Sequence, residues 1–107
     1  MAILGLTETR AREDNIPIQV ARYPFSEAGR AQVEAETAGF AKLTCEPKTG
    51  KLLGAAMVGA GAAELIHEMD GVVYFGGTVH SIAAMPHYHP TLSEIWTFPA
   101  EKLAKRL

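Results

Sequence analysis

The chain reads as an α+β domain, an antiparallel sheet with a buried hairpin, flanked by helices. Three observations carry that reading. Strand-like alternation and apolar runs fill residues 16–59, helical periodicity begins only after residue 61, and two strand patterns are joined by a connection too short for a crossover.

The elements follow in order. Residues 5–14, GLTETRARED, place Thr7 three residues before Arg10 with Glu8 in the first turn, which predicts a short capped helix. IPIQVARY alternates, with Ile16, Ile18 and Val20 on one face of a half-buried strand. Residues 24–39 contain Pro24, Gly29 and Gly39 and little apolar content, the pattern of a long excursion or a poorly ordered connection. FAKLTC then sets Ala41, Leu43 and Cys45 on one face, and KLLGAAMVG is an apolar run expected to be buried on both faces. Between them, EPKTGK offers Pro47 for a fixed φ and Gly50 for a positive one, completing a hairpin. In AAELIHEMDGVVYF, Leu65, Ile66, Met69, Val72 and Val73 recur at helical spacing and form one apolar stripe. Gly76 and Gly77 end that helix, and TVHSIAAM forms a second short one before Pro86. The last helix is expected to start near Pro90 and Thr91, to be interrupted at Pro99 and to resume as AEKLAKRL.

Composition excludes several functions. A chain of 107 residues that is 48% hydrophobic and 21% charged is one folded domain rather than a disordered segment. A net charge of −2 provides no footprint for nucleic acid or an anionic membrane, and Lys102, Lys105 and Arg106 read as a solvated helix face. No run reaches the roughly 18 apolar residues of a membrane helix. The N-terminal residues lack the basic and apolar regions of a secretion signal, so the cytoplasm is the expected location. With Cys45 the sole cysteine, an internal disulfide or a CxxC motif is impossible.

HYHPTLSEIW, residues 87–96, carries the densest chemistry. His89 suits proton transfer, and Glu94, five residues on, is near enough to orient its ring. The same glutamate completes a capping box with Thr91, in which it would bond back to the backbone. His87 and His89 could also face one metal, but zinc needs two further ligands from His67, His80 or an acid, at no recognised spacing. These three readings stand open on spacing alone. Gly59 and Gly61 suggest a dinucleotide loop, yet Glu64 stands where a third glycine belongs, and close helix–sheet packing explains the small residues better. Cys45 shares its strand face with Leu43 and reads as core. Ile95, Trp96 and Phe98 form an apolar group that packs either within the chain or against another chain.

The segments YPF (23–25), GFAKL (39–43), KTGKLLGAAMVG (48–59), AAELI (62–66) and HYHPTLSE (87–94) together resemble the C-terminal interface domain of the flavin-dependent pyridine nucleotide-disulfide oxidoreductases, with the dihydrolipoamide dehydrogenases nearest in wording. The resemblance runs through nearly the whole chain, and H-P-T-x-S-E is its most specific part. It implies a single interface domain over residues 1–107 that forms a homodimer. It implies that His89 is the acid–base, that Glu94 orients it, and that His89 and Pro90 lie against the flavin of the partner subunit, joined by a cis peptide bond. There His89 would take the proton of a substrate thiol so that the thiolate attacks a redox disulfide. No metal is implied. The FAD and NAD(P) domains and the paired redox cysteines are absent from this sequence, so those cofactors and the disulfide substrate are expected in a longer parent, and none with this chain alone. A free-standing dimerisation module without catalysis is the alternative. Tyr88, bulkier than the family's usual residue between the two histidines, leaves the subfamily and its disulfide substrate open.

Overall fold

The computed structural model describes residues 1–27, 39–59, 61–87 and 92–107. Its sheet grows from the hairpin that the turn residues dictate. Strand β3 (Phe40–Cys45) and strand β4 (Leu52–Val58) pair antiparallel from Phe40↔Val58 to Cys45↔Leu52, with an irregularity at Thr44/Cys45. Gly50 takes φ +76° at the turn. The Glu46 carboxylate accepts bonds from the backbone N–H groups of Lys48 and Thr49 at 3.0 and 2.7 Å and from the Thr49 hydroxyl at 2.6 Å. These bonds, that from the Thr49 hydroxyl first, hold its carboxyl below the usual carboxylate range. Strand β1 (Ala2–Gly5) adds to β4 and strand β2 (Gln19–Pro24) to β3, giving the all-antiparallel order β1-β4-β3-β2.

Helix α1 (Glu8–Glu13) starts where the sequence places it, with the Arg10 N–H bonded to Thr7 Oγ1 at 3.1 Å. Helix α2 (Ala62–Tyr74) packs its apolar stripe on β4 and β1, with Met69 fully buried. Helix α3 (Val79–Ala84) is capped by Thr78, whose hydroxyl accepts the Ser81 N–H at 3.1 Å while Ser81 Oγ accepts the Thr78 N–H at 2.9 Å. A one-strand-wide bridge ties the start of α3 to the hairpin: Leu52 N–H bonds Gly77 O and Val79 N–H bonds Gly50 O. Helix α4 (Thr97–Arg106) crosses β2 and β3 and packs on α3. The core between sheet and helices holds Leu43, Cys45, Met57, Ile82, Ile95, Trp96 and Leu103, each at most 1% exposed. Burial of each large side chain among them contributes about 1.5–3 kcal/mol.

Several expectations change. β1 was not anticipated, because four residues are too few to show a period. The buried residue of β2 is Ala21, opposite the buried Leu43, while Ile16 lies outside the strand and is 38% exposed. Alternation alone does not say which face is inside, and the register with β3 decides it. β4 is buried on one face only: Leu53, Ala56 and Val58 are half-buried, because the outer face of the sheet carries α1 at one side and no other described helix. Pro99 does not interrupt the last helix. Residues Leu92–Trp96 form a 3-10 turn, and α4 then runs unbroken, with Pro99 in its first turn where a missing N–H costs nothing. Lys102 and Arg106 are not simply solvated. They donate to the carbonyls of Arg22 and Val20 at 3.1 and 2.7 Å, covering polar groups of the edge strand. The excursion expected over residues 24–39 falls mostly outside the described residues.

Candidate functional site

The site is built on one face of α2. Leu65 and Glu68 stand three residues apart there, so both look the same way. After α3, Met85 turns to extended backbone ahead of Pro86, as a residue before proline prefers, and the chain delivers His87 against that face.

His87 is 7% exposed at its side chain. Its Nε2 lies 2.6 Å from Glu68 Oε2, and its Nδ1 lies 3.1 Å from the Met85 carbonyl and 3.1 Å from Thr97 Oγ1. A carboxylate only accepts, so Nε2 carries the proton in the pair with Glu68. In the neutral ring Nδ1 then accepts the Thr97 hydroxyl, and a second proton would turn Nδ1 towards the Met85 carbonyl instead. Next to Thr97, the buried Trp96 donates its indole N–H to the Leu65 carbonyl at 3.0 Å. Residues 87 and 96–97 are thus fixed to α2 one turn apart.

Of the residues singled out in the sequence, Glu94 lies half-buried in the 3-10 turn between these anchors and is engaged by a partner. His89, Pro90 and Thr91 lie outside the described residues, as do the His89–Glu94 pairing, the Thr91 cap and the peptide bond before Pro90. His67 is exposed on α2, and His80 borders the hairpin turn at Gly50. Among the described residues no three His, Cys, Asp or Glu side chains gather to hold a metal ion. Ile95 and Trp96 are covered by this chain's own core, and Phe98 stacks on Tyr23 at 4.5 Å between ring centres. Cys45 is buried core, and burial pushes its thiol up, away from the thiolate form. Gly61 takes φ +75° at the start of α2, with Glu64 in the first turn.

Glu68 and Thr97 escaped the sequence reading. Glu68 borders an apolar stripe, where a charged residue ordinarily faces solvent, and its partner is 19 residues away. A hollow of about 420 Å³ on the outer face of the sheet, lined by Ile3, Glu8, Arg12, Phe40, Lys42 and Val58, contains none of the candidate residues. Lys42 and Glu8 pair there at 2.6 Å. Among the described residues no helix is long and apolar enough to cross a membrane.

Comparison with known proteins gives this arrangement a context. Dihydrolipoyl dehydrogenase of Bacillus subtilis is 40% identical over 101 residues, covering 94% of this chain and 22% of the relative. That of Corynebacterium glutamicum is 46% identical over 92 residues, covering 84% and 20%. The human mitochondrial enzyme is 35% identical over 94 residues, covering 88% and 18%. The crystal structure of LpdA from Mycobacterium tuberculosis superposes with a TM-score of 0.88 at 26% identity, over 94% of this chain and 22% of that one. The HOCl-induced flavoprotein disulfide reductase RclA from Escherichia coli superposes at 0.86 and 29%, over 92% and 23%. The chain therefore spans about a fifth of the length of the curated relatives it matches. The family described as pyridine nucleotide-disulphide oxidoreductase, dimerisation domain, matches residues 1–99, and the chain belongs to that family.

Proposed function

We propose that residues 1–107 are the dimerisation domain of a dihydrolipoyl dehydrogenase-like, FAD-dependent disulfide oxidoreductase, and that the domain lends His89 and Glu94 to the partner subunit's thiol–disulfide site. The observation that carries this is the family match over residues 1–99, which includes the H-P-T-x-S-E segment intact. The implied assembly is a homodimer, and the implied location is the cytoplasm.

This chain does not fit a cradle for FAD or NAD(P). The turn from β4 into α2 carries Gly59 and Gly61, but Glu64 puts a carboxylate in the first turn of the helix, where a pyrophosphate needs positive potential. Those cofactors belong to the part of the relatives' length that this chain does not span. The chemistry left to this chain is a proton transfer. His89 takes the proton of a substrate thiol, and Glu94 steadies the other ring nitrogen. The thiolate then attacks one sulfur of a disulfide, forming a mixed disulfide and releasing the other sulfur as thiolate. His89 returns its proton when a leaving thiolate needs one.

The test is the native polypeptide that carries this segment, isolated from its source. A yellow protein several times longer than 107 residues is expected, in which His89→Gln lowers dithiol oxidation by about 10²–10⁴-fold with flavin retained. A colourless native protein of this length would leave a dimerisation module without catalysis. Unchanged turnover in the variant would remove the acid–base role.

A further inference from the structure

The outer face of the sheet carries a charge pattern that the thiol–disulfide reading does not use. We infer that the hollow there binds a small amphipathic carboxylate, with its apolar body over Ile3 and Val58 and its carboxylate among Lys42, Arg12 and Arg22. The inference goes beyond the proposed function and does not depend on it.

The strand register lays the pattern out. Ile3 pairs with Ala56, Ala56 with Lys42 and Lys42 with Arg22, so one row of residues crosses all four strands. That row is apolar on β1 and β4 and cationic on β3 and β2. Phe40 and Val58 are partners in the next row. Ile3, 56% exposed, lines the hollow together with Ala56, Val58, Phe40 and Lys42. Helix α1, which joins β1 to β2, walls it with Glu8 and Arg12. At about 420 Å³ the hollow falls within the roughly 300–1,000 Å³ of small-molecule clefts. A second hollow, floored by Ile16, Ile18 and Val20, shares Glu8 and Arg12 with the first, so Arg12 stands between two apolar floors.

Charge selects an anion. Lys42 and Arg22 are direct cross-strand partners, and like charges so placed ordinarily destabilise a strand pair. Glu8 answers only one of them, taking the Lys42 ammonium at 2.6 Å. The Arg22 guanidinium lies over the Phe40 ring, 4.2 Å from its centre. Among the described residues neither Arg22 nor Arg12 has a carboxylate in an ion pair. The hydrogen bond from Lys42 first, then the charges of Lys42, Arg12 and Arg22, hold the Glu8 carboxyl below its usual range against the opposing effect of burial. All three cations thus act on one spot. Glu8 is the only carboxylate lining either hollow, and Asp14 is held by Arg10 at 2.8 Å. Three cations face one carboxylate in a chain whose net charge is −2. A guanidinium offers a carboxylate two parallel donors, and the apolar floor gains from being covered by hydrocarbon. An inorganic anion would leave the floor wet, and a neutral hydrocarbon would leave the cations unanswered.

The test titrates the full-length polypeptide carrying residues 1–107, and the 107-residue chain beside it, with naphthoate and with the uncharged naphthol at neutral pH, followed by ligand fluorescence. Saturable binding of naphthoate is expected in both proteins, about tenfold tighter than naphthol and weakened by salt. Arg12, Arg22 and Ile3 are exposed, so their variants report on binding rather than on folding. Arg12→Gln and Arg22→Gln should each weaken naphthoate about tenfold, and Ile3→Asn several-fold. Glu8→Gln removes the competing charge and should tighten it. Arg10→Gln alters an arginine that lines neither hollow and should leave the affinity unchanged. No saturation in either protein would overturn the inference, as would naphthol bound as tightly as naphthoate or an affinity unmoved by Arg12→Gln. Binding by the 107-residue chain but not by the full-length polypeptide would show that another part of that polypeptide covers this face, which also overturns it. The acid–base reading is decided separately, by turnover of His89→Gln, and stands or falls apart from these results.

Discussion

Two side-chain pairs of equal length occupy opposite sides of the sheet. Lys42 and Glu8 meet at 2.6 Å on the outer face, and His87 and Glu68 meet at 2.6 Å on the helical side. The outer pair is 20% and 36% exposed and ties one strand to the short helix α1. The inner pair is 7% and 25% exposed, and its histidine bonds two further groups, so that one ring joins α2, the end of α3 and the start of α4. Distance does not distinguish the pairs. What differs is how much water was displaced and how many elements lose an anchor when the pair is broken. Partly exposed pairs are worth about 0–1 kcal/mol, whereas a buried polar group deprived of its partner costs about 1–3 kcal/mol.

This contrast can be broken or sharpened by substitution. The largest effect is expected at Trp96, which is fully buried and bonds the Leu65 carbonyl of α2. Trp96→Ala should cost about 3–5 kcal/mol in urea unfolding of the isolated chain, and a loss under 1 kcal/mol would show that the indole is not built into the core. Glu68→Ala comes next, at about 1–3 kcal/mol, because it strands His87 Nε2. A double-mutant cycle with His87→Ala should return a coupling larger than the matching Glu8/Lys42 cycle, and equal couplings would erase the distinction between the faces. Cys45 offers a probe of the same point. It is buried on the helical side with its thiol pushed up by burial, so alkylation at neutral pH should track opening of the core, faster in Glu68→Ala and unchanged in Lys42→Met.

The smallest effect belongs to Lys42→Met, within about 1 kcal/mol at neutral pH. It should still be visible in acid. The hydrogen bond from Lys42 chiefly holds the Glu8 carboxyl below its ordinary 4.5. A depressed folded value means that the stabilisation is fully present above the unfolded value and is lost as pH falls through the folded one. The melting temperature of the chain should therefore drop below about pH 4.5, less steeply in Glu8→Gln than in the parent chain, as thermal unfolding from pH 6 to 2 would show. Glu46 keeps part of that slope in the variant, since its carboxyl is also held low. Identical slopes would mean that the Lys42 pair is not formed in solution.

Where the sequence reading succeeded, the cause was local. Thr7 caps α1 because its hydroxyl reaches an N–H three residues away, and Gly50 turns the hairpin because only glycine takes its positive φ without strain. The stripe from Leu65 to Val73 named the inner face of α2 for the same reason. The expected break at Pro99 failed because proline in a first turn and proline in mid-helix look identical in a sequence whose helix start has been misplaced by a few residues. Of the groups that meet on α2, His87 was read only as a possible metal ligand, and Glu68 and Thr97 gave no local signal, because their partners lie 19 and 10 residues away.

The sequence by itself determined the α+β class, the hairpin and the Thr7 cap, because caps, turns and hydrophobic periods act over a few residues, and it carried the family through the wording of whole segments. The tertiary structure alone decided that β1 pairs with β4, that Ala21 rather than Ile16 faces inward, and that Glu68 receives His87 while Thr97 closes on it. These depend on register and on which helix lies across which strand. Such choices are made by burying the whole apolar surface at once, and no short stretch of the chain encodes them.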